Sequence, residues 1–330
     1  VWKEGKPLTS SDKSRKRRYA IIGSGALGGL YGGRLAHAGF DVHFLLHSDY
    51  DHVCQHGLKV ESPWGDFHLS KVNAHASADT MPPCDVTVVA LKTTNNHLLS
   101  ELLPAPTRGG GVVLVLQNGL GIEADSSAVV DSQDSPSRVL SGCCFLCSNK
   151  VGPGHIRHLD HGRIVFGDWQ QVDDQSRKKS ISPIANEICS DLESAGIDAQ
   201  TTDDVALTRW RKLLWNIPFN GLSVVLNAST KELIDNDDAT ELARSVMIEV
   251  RDAAAACGII IPIEMIDKTI DSTRNMVPYD SSMRLDFLAG RPMEIDAMFS
   301  APIHRAAQAG FAMPIVETIR RQLLFNGRRR

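Results

Sequence analysis

The sequence has no surplus of charge of either sign. Its 35 Lys and Arg oppose 39 Asp and Glu, for a net charge of −4, so no global field favours nucleic acid or an anionic membrane. No apolar stretch approaches the roughly 20 residues that span a bilayer. The polar residues 1–18 close on Arg15-Lys16-Arg17-Arg18 and lack the apolar segment of a secretory signal. They are expected to form a disordered basic tail, and Arg328-Arg329-Arg330 reads the same way. A regular cysteine framework is also missing. The seven cysteines are odd in number, Cys143, Cys144 and Cys147 sit in an apolar run, and no His/Cys pair at zinc spacing follows them. Reduced, packed thiols in a cytoplasmic protein are therefore expected, with no metal.

What remains is an ordinary globular composition, 42% hydrophobic and 22% charged over 330 residues, enough for two domains. Tyr19–Ile22 reads as a strand, 27–38 as a helix stopped by Gly39, and Asp41–Leu46 as a second strand. Further strands are expected at Asp85–Leu91, Gly111–Leu116, Val139–Cys147 and His155–Gly167, with helices at Asn95–Leu103 and Ile184–Ala195. The polar stretch Asp168–Lys179 reads as a loop, and Gly196–Thr202 as an extended segment. After Asp203 the strand signals stop, and helical periodicity covers 204–226, 231–257, 262–275, 299–309 and 314–325. The expected fold class is α/β: a Rossmann-type doubly wound sheet over 19–203, followed by an all-helical domain over 204–330.

Gly23-Ser24-Gly25-Ala26-Leu27-Gly28 has the spacing G-x-G-x-x-G between the first strand and the first helix. The first Gly permits the tight turn, the second lets the backbone approach a pyrophosphate, and the third lets helix and strand pack closely. The helix N-terminus then offers free N–H groups to the phosphates. An NAD site usually carries an acid at the end of the second strand. Here that place holds Leu46, His47 and Ser48; Asp49 comes too late and Asp41 opens the strand. NADP(H) is therefore the expected cofactor, with His47, Ser48 and Lys92 as donors for its extra phosphate.

Reduction of a carbonyl needs a group that protonates the developing alkoxide. In the segment from Arg209 to Asn220, Lys212, Asn216 and Asn220 are spaced i, i+4, i+8, one polar stripe on a helix rich in Trp and Leu. A ligand is one candidate partner for such groups and solvent is the other. A second cluster holds Ser281, Ser282 and Glu294. Glu294 follows a Gly/Pro turn, where a carboxylate can also simply meet a helix start.

Four motifs together resemble the ketopantoate reductase (2-dehydropantoate 2-reductase) family. They are the glycine loop, Gln117-Asn-Gly-Leu-Gly121, Trp210-Arg-Lys-Leu-Leu-Trp-Asn216 with Asn220, and Ser281-Ser-Met with Gly290-Arg-Pro-Met-Glu-Ile-Asp296. The resemblance spans about residues 19–325. It implies NADPH-dependent reduction of 2-dehydropantoate to (R)-pantoate, toward pantothenate and coenzyme A, in a cleft between the two domains. It also implies residue roles. Lys212 would be the proton donor. Asn118 would lie between nicotinamide and substrate, and Asn216, Asn220 and Ser282 would bind the substrate. Glu294 would meet the nicotinamide ribose and help order the site, while Lys92 and Ser148 would contact the cofactor. The chain departs from many members in having His47 where they have Arg, and from some in having Thr230 where they have a substrate-binding Asn. A dehydrogenase of another branched 2-oxo acid fits the same residues, and a non-catalytic NADP-binding sensor fits the glycines alone. Helical second domains of this kind often pair as homodimers, although no sequence feature dictates it.

Overall fold

The computed structural model describes residues 15–169 and 180–328. The first unit comprises β1 (Arg18–Ile22), α1 (Ala26–His37), β2 (Asp41–Leu45), α2 (Tyr50–His56), β3 (Leu58–Glu61), β4 (Phe67–Leu69), β5 (Asn73–His75), β6 (Val86–Val89), α3 (Leu99–Leu102), β7 (Val112–Val115), α4 (Glu123–Asp131), β8 (Arg138–Gly152), β9 (His155–Asp168), α5 (Pro183–Ser194) and β10 (Ala199–Thr201). The sheet runs β4-β3-β9-β8-β7-β6-β1-β2-β5, with β10 joining β9. From β5 to β8 every pairing is parallel. The helices and loops that link these strands cover both faces, so β6 and β7 are buried throughout and read as unbroken apolar runs. Along β1 the side chains alternate between two cores. Tyr19 and Ile21 join the α1 side, and Ala20 and Ile22 join the side formed by Leu99, Leu103 and Ile122.

Two antiparallel pairs, β8 with β9 and β3 with β4, make the sheet mixed rather than purely doubly wound. The β8–β9 ribbon extends past the apolar run that marks it in the sequence. Its outer end, from Asn149 to Arg157, is mostly half-buried or exposed and carries little of the apolar signal that reveals buried strands.

The end of the basic run is not a loose tail. Arg15 and Arg18 bond Asp85 and Asp41, Arg17 bonds Asp191 and Glu187, and Lys16 donates to the Ala38 carbonyl. Opposite charge and a strand start hold residues 15–18 at the amino end of the central strands. Residues 1–14 of the expected tail, 170–179 of the expected loop, and Arg329 and Arg330 lie outside the described residues.

The second unit is helical: α6 (Val205–Val225), α7 (Thr230–Asp235), α8 (Asp237–Ala256), α9 (Glu264–Asn275), α10 (Ser282–Leu288), a π-helical turn (Asp296–Ser300), α11 (Ala301–Gln308) and α12 (Pro314–Arg328). Helix α6 runs through its core, where Trp210, Leu213, Leu214, Ile217 and Phe219 are buried among α8, α10 and α12. No helix among the described residues is long and apolar enough to cross a membrane.

The helix expected over 231–257 is two helices. Asn236 sits between them with extended backbone (φ −104°, ψ 124°), and its side chain accepts the Ala239 N–H at 2.9 Å. Asn competes for backbone hydrogen bonds and so favours such starts over helix interiors. Asn236→Ala should therefore lower stability by about 1 kcal/mol, read as an earlier urea midpoint. An unchanged midpoint would mean the break is set by packing alone.

Candidate active site

The carboxyl ends of β1, β6 and β7 meet where the strand order reverses, the usual place for a ligand in an open α/β sheet. The glycine loop lies there, between β1 and α1. Gly23 has φ +102°, and a Cβ on it would lie 2.3 Å from the Leu91 nitrogen; a Cβ on Gly28 would lie 2.2 Å from the Gly23 carbonyl oxygen. Those two glycines are required by the protein's own packing. A Cβ on Gly25, by contrast, meets nothing within 4 Å. Helix α1 starts at Gly25 with no side-chain cap and no acid in its first turn, so its leading N–H groups are left for a ligand. Ala26 and Leu27 form that first turn, and the Ser24 hydroxyl donates to the Leu45 carbonyl, tying the loop to β2.

Beyond β2, His47 and Ser48 are exposed whereas Asp49 is buried. The Asp49 carboxylate accepts from Lys150 Nζ at 2.6 Å and from the Gly154 N–H at 2.9 Å. Burial pushes its pKa up, but the hydrogen bonds from Gly154 and Lys150 outweigh it and hold the carboxyl below its ordinary value. The acid nearest the end of β2 is thus committed to β8 and the turn after it.

Lys92, just past β6, reaches into the second unit. Its Nζ donates to Asp286 Oδ2 at 2.6 Å and lies 3.5 Å from Glu294 Oε2. Burial acts to lower its pKa, but the Glu294 and Asp286 carboxylates hold it above that of an ordinary lysine. Glu294 is itself buried and accepts from both the backbone and the hydroxyl of Thr93, at 2.8 and 2.9 Å. Ser148 is buried in the β8–β9 ribbon, where its hydroxyl donates to the Arg157 carbonyl.

After β7 comes Asn118, whose Oδ1 is buried with no hydrogen-bond partner among the described residues. Gly119 follows at φ +113°, and a Cβ there would lie 2.5 Å from the Ala297 Cβ, so only glycine lets this loop press on the π-helical turn. Lys212 comes from α6. Its Nζ donates to the Cys144 carbonyl of β8 at 2.6 Å and lies 5.9 Å from the centre of the Phe145 ring. Burial lowers the pKa of this amine from the ordinary lysine value, the Arg209 charge adds to the effect, and the Cys143 and Cys144 thiols and Glu294 oppose it.

Asn216 and Asn220 are buried further along the same helix. Asn220 Oδ1 accepts the Met283 N–H at 3.2 Å, so it helps hold the start of α10. The adjacent serines divide their work. Ser281 is fully buried, caps α10 through the Arg284 N–H and bonds Ser223, whereas Ser282 is half-buried in the first turn. Thr230 is buried at the start of α7.

Three residues absent from the sequence reading also belong here. Arg209 and Glu123 form a buried pair 2.7 Å apart, and Asp286 holds Lys92. Arg209 carried a signal, since it precedes Lys212 by three residues and continues the 212–216–220 stripe.

A glycine-loop sheet facing a half-buried lysine from a helical second unit defines a two-unit, dinucleotide-dependent oxidoreductase. Residues 19–171 match the family model described as ketopantoate reductase PanE/ApbA, and 204–325 match its C-terminal counterpart. The chain is 46% identical over 316 residues to the 2-dehydropantoate 2-reductase of Nostoc sp., covering 96% of this chain and 97% of that one. The crystal structure of 2-dehydropantoate 2-reductase from Geobacter metallireducens superposes with a TM-score of 0.87 at 38% identity, over 93% of this chain and 99% of that one. That from Methylococcus capsulatus gives 0.79 at 28%, over 94% and 97%. The chain belongs to the ketopantoate reductase family.

The buried Lys212 amine has a consequence for stability. Its folded pKa lies below its unfolded one, so the charged form is penalised by folding. That penalty is full below the folded pKa and vanishes as pH rises past about 10.4, the unfolded value. Lys212→Met should therefore gain stability relative to the wild type as pH falls from about 10 towards 7, measured by denaturation across pH. A difference that does not vary with pH would show that the amine titrates normally.

Proposed function

We propose that the protein reduces 2-dehydropantoate to (R)-pantoate with NADPH, a step toward pantothenate and coenzyme A. The observation that carries this reading is the half-buried Lys212 amine, lowered in pKa and held on the Cys144 carbonyl of β8. Amines tuned toward neutrality are suited to giving a proton at physiological pH. The family relatives named above supply the substrate.

The residues present fit a dinucleotide. Open space over Gly25 and the uncapped start of α1 suit its pyrophosphate. His47 and Ser48, beside an Asp49 carboxylate already held by Lys150 and Gly154, suit the 2′-phosphate of NADP better than the bare ribose of NAD. Bound there, the nicotinamide supplies the hydride.

The chain's own residues do the rest in this reading. Lys212 gives up its bond to the Cys144 carbonyl and donates a proton to the C2 carbonyl oxygen of the substrate. Asn118, whose side-chain oxygen lacks a partner among the described residues, lies between nicotinamide and substrate. Asn216, Asn220 and Ser282 orient the substrate's carboxylate and hydroxyl. Glu294, with Thr93, orders the nicotinamide ribose end, and Lys92 and Ser148 complete the cofactor side. Lys212 and Asn118 come from different units, so substrate is gripped between them.

The test is oxidation of NADPH, followed by its absorbance, with 2-dehydropantoate beside pyruvate and 2-oxoisovalerate, and with NADH in parallel. Preferred turnover of 2-dehydropantoate with NADPH is expected. Lys212→Ala should lower the rate by about 100-fold or more, the scale of a lost general acid, with NADPH affinity nearly intact. A better rate on another oxo acid would move the protein to a sister reaction, and an undiminished Lys212→Ala rate would remove that lysine from the chemistry.

A further inference from the structure

We propose that Arg209, through its buried pair with Glu123, is a positioning residue for the reduction: it clamps the Asn118 peptide to helix α6 and sets a fixed positive charge beside the Lys212 amine. The inference rests on the reading of Lys212 as proton donor.

The geometry is specific. Arg209 and Glu123 are 4% and 3% exposed, so both charges are out of water. Arg209 Nε donates to Glu123 Oε1 at 2.8 Å and to the Ser141 hydroxyl at 3.1 Å, and that hydroxyl donates to the same carboxylate oxygen. The other arm of the guanidinium is turned to backbone. Its Nη1 donates to the Gln117 carbonyl at 2.6 Å, with the Gly119 carbonyl at 3.5 Å. Those two carbonyls flank Asn118. On its other side the loop is pinned by Ala297, which leaves no room for a Cβ on Gly119 and accepts the Leu120 N–H at 3.0 Å. One helical turn along α6, Lys212 is bonded to Cys144, three residues beyond Ser141 on the same strand. Helix α6 therefore grips the β7 loop and strand β8 at two points, and the two points carry the proton donor and the residue facing it.

A buried ion pair is a poor device for stability alone, because apolar groups of the same volume hold a fold as well or better. Guanidinium is instead the side chain whose rigid fork fixes several acceptors at once. Its charge has a second effect. The groups that face the Lys212 amine are Cys143 and Cys144 of β8, Arg209 of its own helix, and Glu294 after α10. Among them only Arg209 adds to burial in holding the ammonium form down, so removing its charge should let the amine stay protonated to higher pH.

The experiment uses the full-length enzyme. Arg209→Met alone strands the Glu123 carboxylate in the core and can fail to fold, so it is paired with the double variant Arg209→Met, Glu123→Gln. With 2-dehydropantoate and NADPH, the double variant should lose roughly 10- to 100-fold in kcat, the scale of a small misplacement of reacting groups. Its NADPH affinity should hold, and the alkaline limb of its kcat profile should move to higher pH. Arg209→Lys should bring back the limb, through its charge, but not kcat, for want of the fork. Wild-type kcat and an unmoved limb in the double variant would reduce the pair to a structural staple and overturn the proposal. Should the wild type not turn over the oxo acid, the reductase reading falls, and the proposal is still decided without turnover. Lysines are dimethylated with carbon-13, Lys212 is assigned by its loss in Lys212→Arg, and its NMR titration is compared. A higher titration in the double variant supports the charge effect of Arg209 on Lys212; an unchanged one overturns it.

Discussion

A helix that buries Arg209, Asn216 and Asn220 and half-buries Lys212 along one face must find these polar groups partners, because water supplies few or none. That constraint organises this molecule. Arg209 takes Glu123, Ser141 and two carbonyls of the β7 loop; Lys212 takes a carbonyl of β8; Asn220 takes the Met283 N–H at the start of α10. The partners belong to both units, so satisfying α6 is what joins the helical part to the sheet. The fit is incomplete at Asn118, whose buried oxygen lacks a partner among the described residues. Such a shortfall is tolerated at sites where a ligand supplies the missing bond.

A second set of ties crosses between the units closer to the glycine loop. Lys92 holds Asp286 and lies near Glu294, and Thr93 donates twice to Glu294. These bonds hold side chains expected to meet the cofactor. A ligand entering between β6 and α10 would have to share or displace them. They also supply the partners that the Glu294 side chain needs at 4% exposure: it is met by two donors and lies close to a third.

Much of this was legible in the sequence, and the limits have physical reasons. The parallel strands were visible because burial on both faces leaves unbroken apolar runs, as in Val86–Val89 and Val112–Val115. The glycine loop was visible because two of its glycines are demanded by packing and the third by open approach. The strands β3, β4 and β5 were not read. They are three or four residues long, too short to show a period, and β4 and β5 lie at the edges of the sheet. The Asn236 break was hidden because a cap residue in a long periodic stretch looks like an ordinary helical Asn. The stripe of Lys212, Asn216 and Asn220 stood out, but its meaning turned on Glu123, eighty-odd residues earlier, and only folding brings that carboxylate to Arg209. Spacing shows which groups share a face; it does not show what meets that face.

The claim underlying the account is that Lys212 exchanges its bond with the Cys144 carbonyl for one with the oxygen of the substrate. The most direct test is a crystal structure of the enzyme with NADP⁺ and pantoate. The account predicts Lys212 Nζ within roughly 2.7–3.2 Å of the C2 oxygen, with the Asn118 side chain against the ligands. A ternary complex in which Lys212 stays on Cys144 and the C2 oxygen is bound by other groups would contradict it.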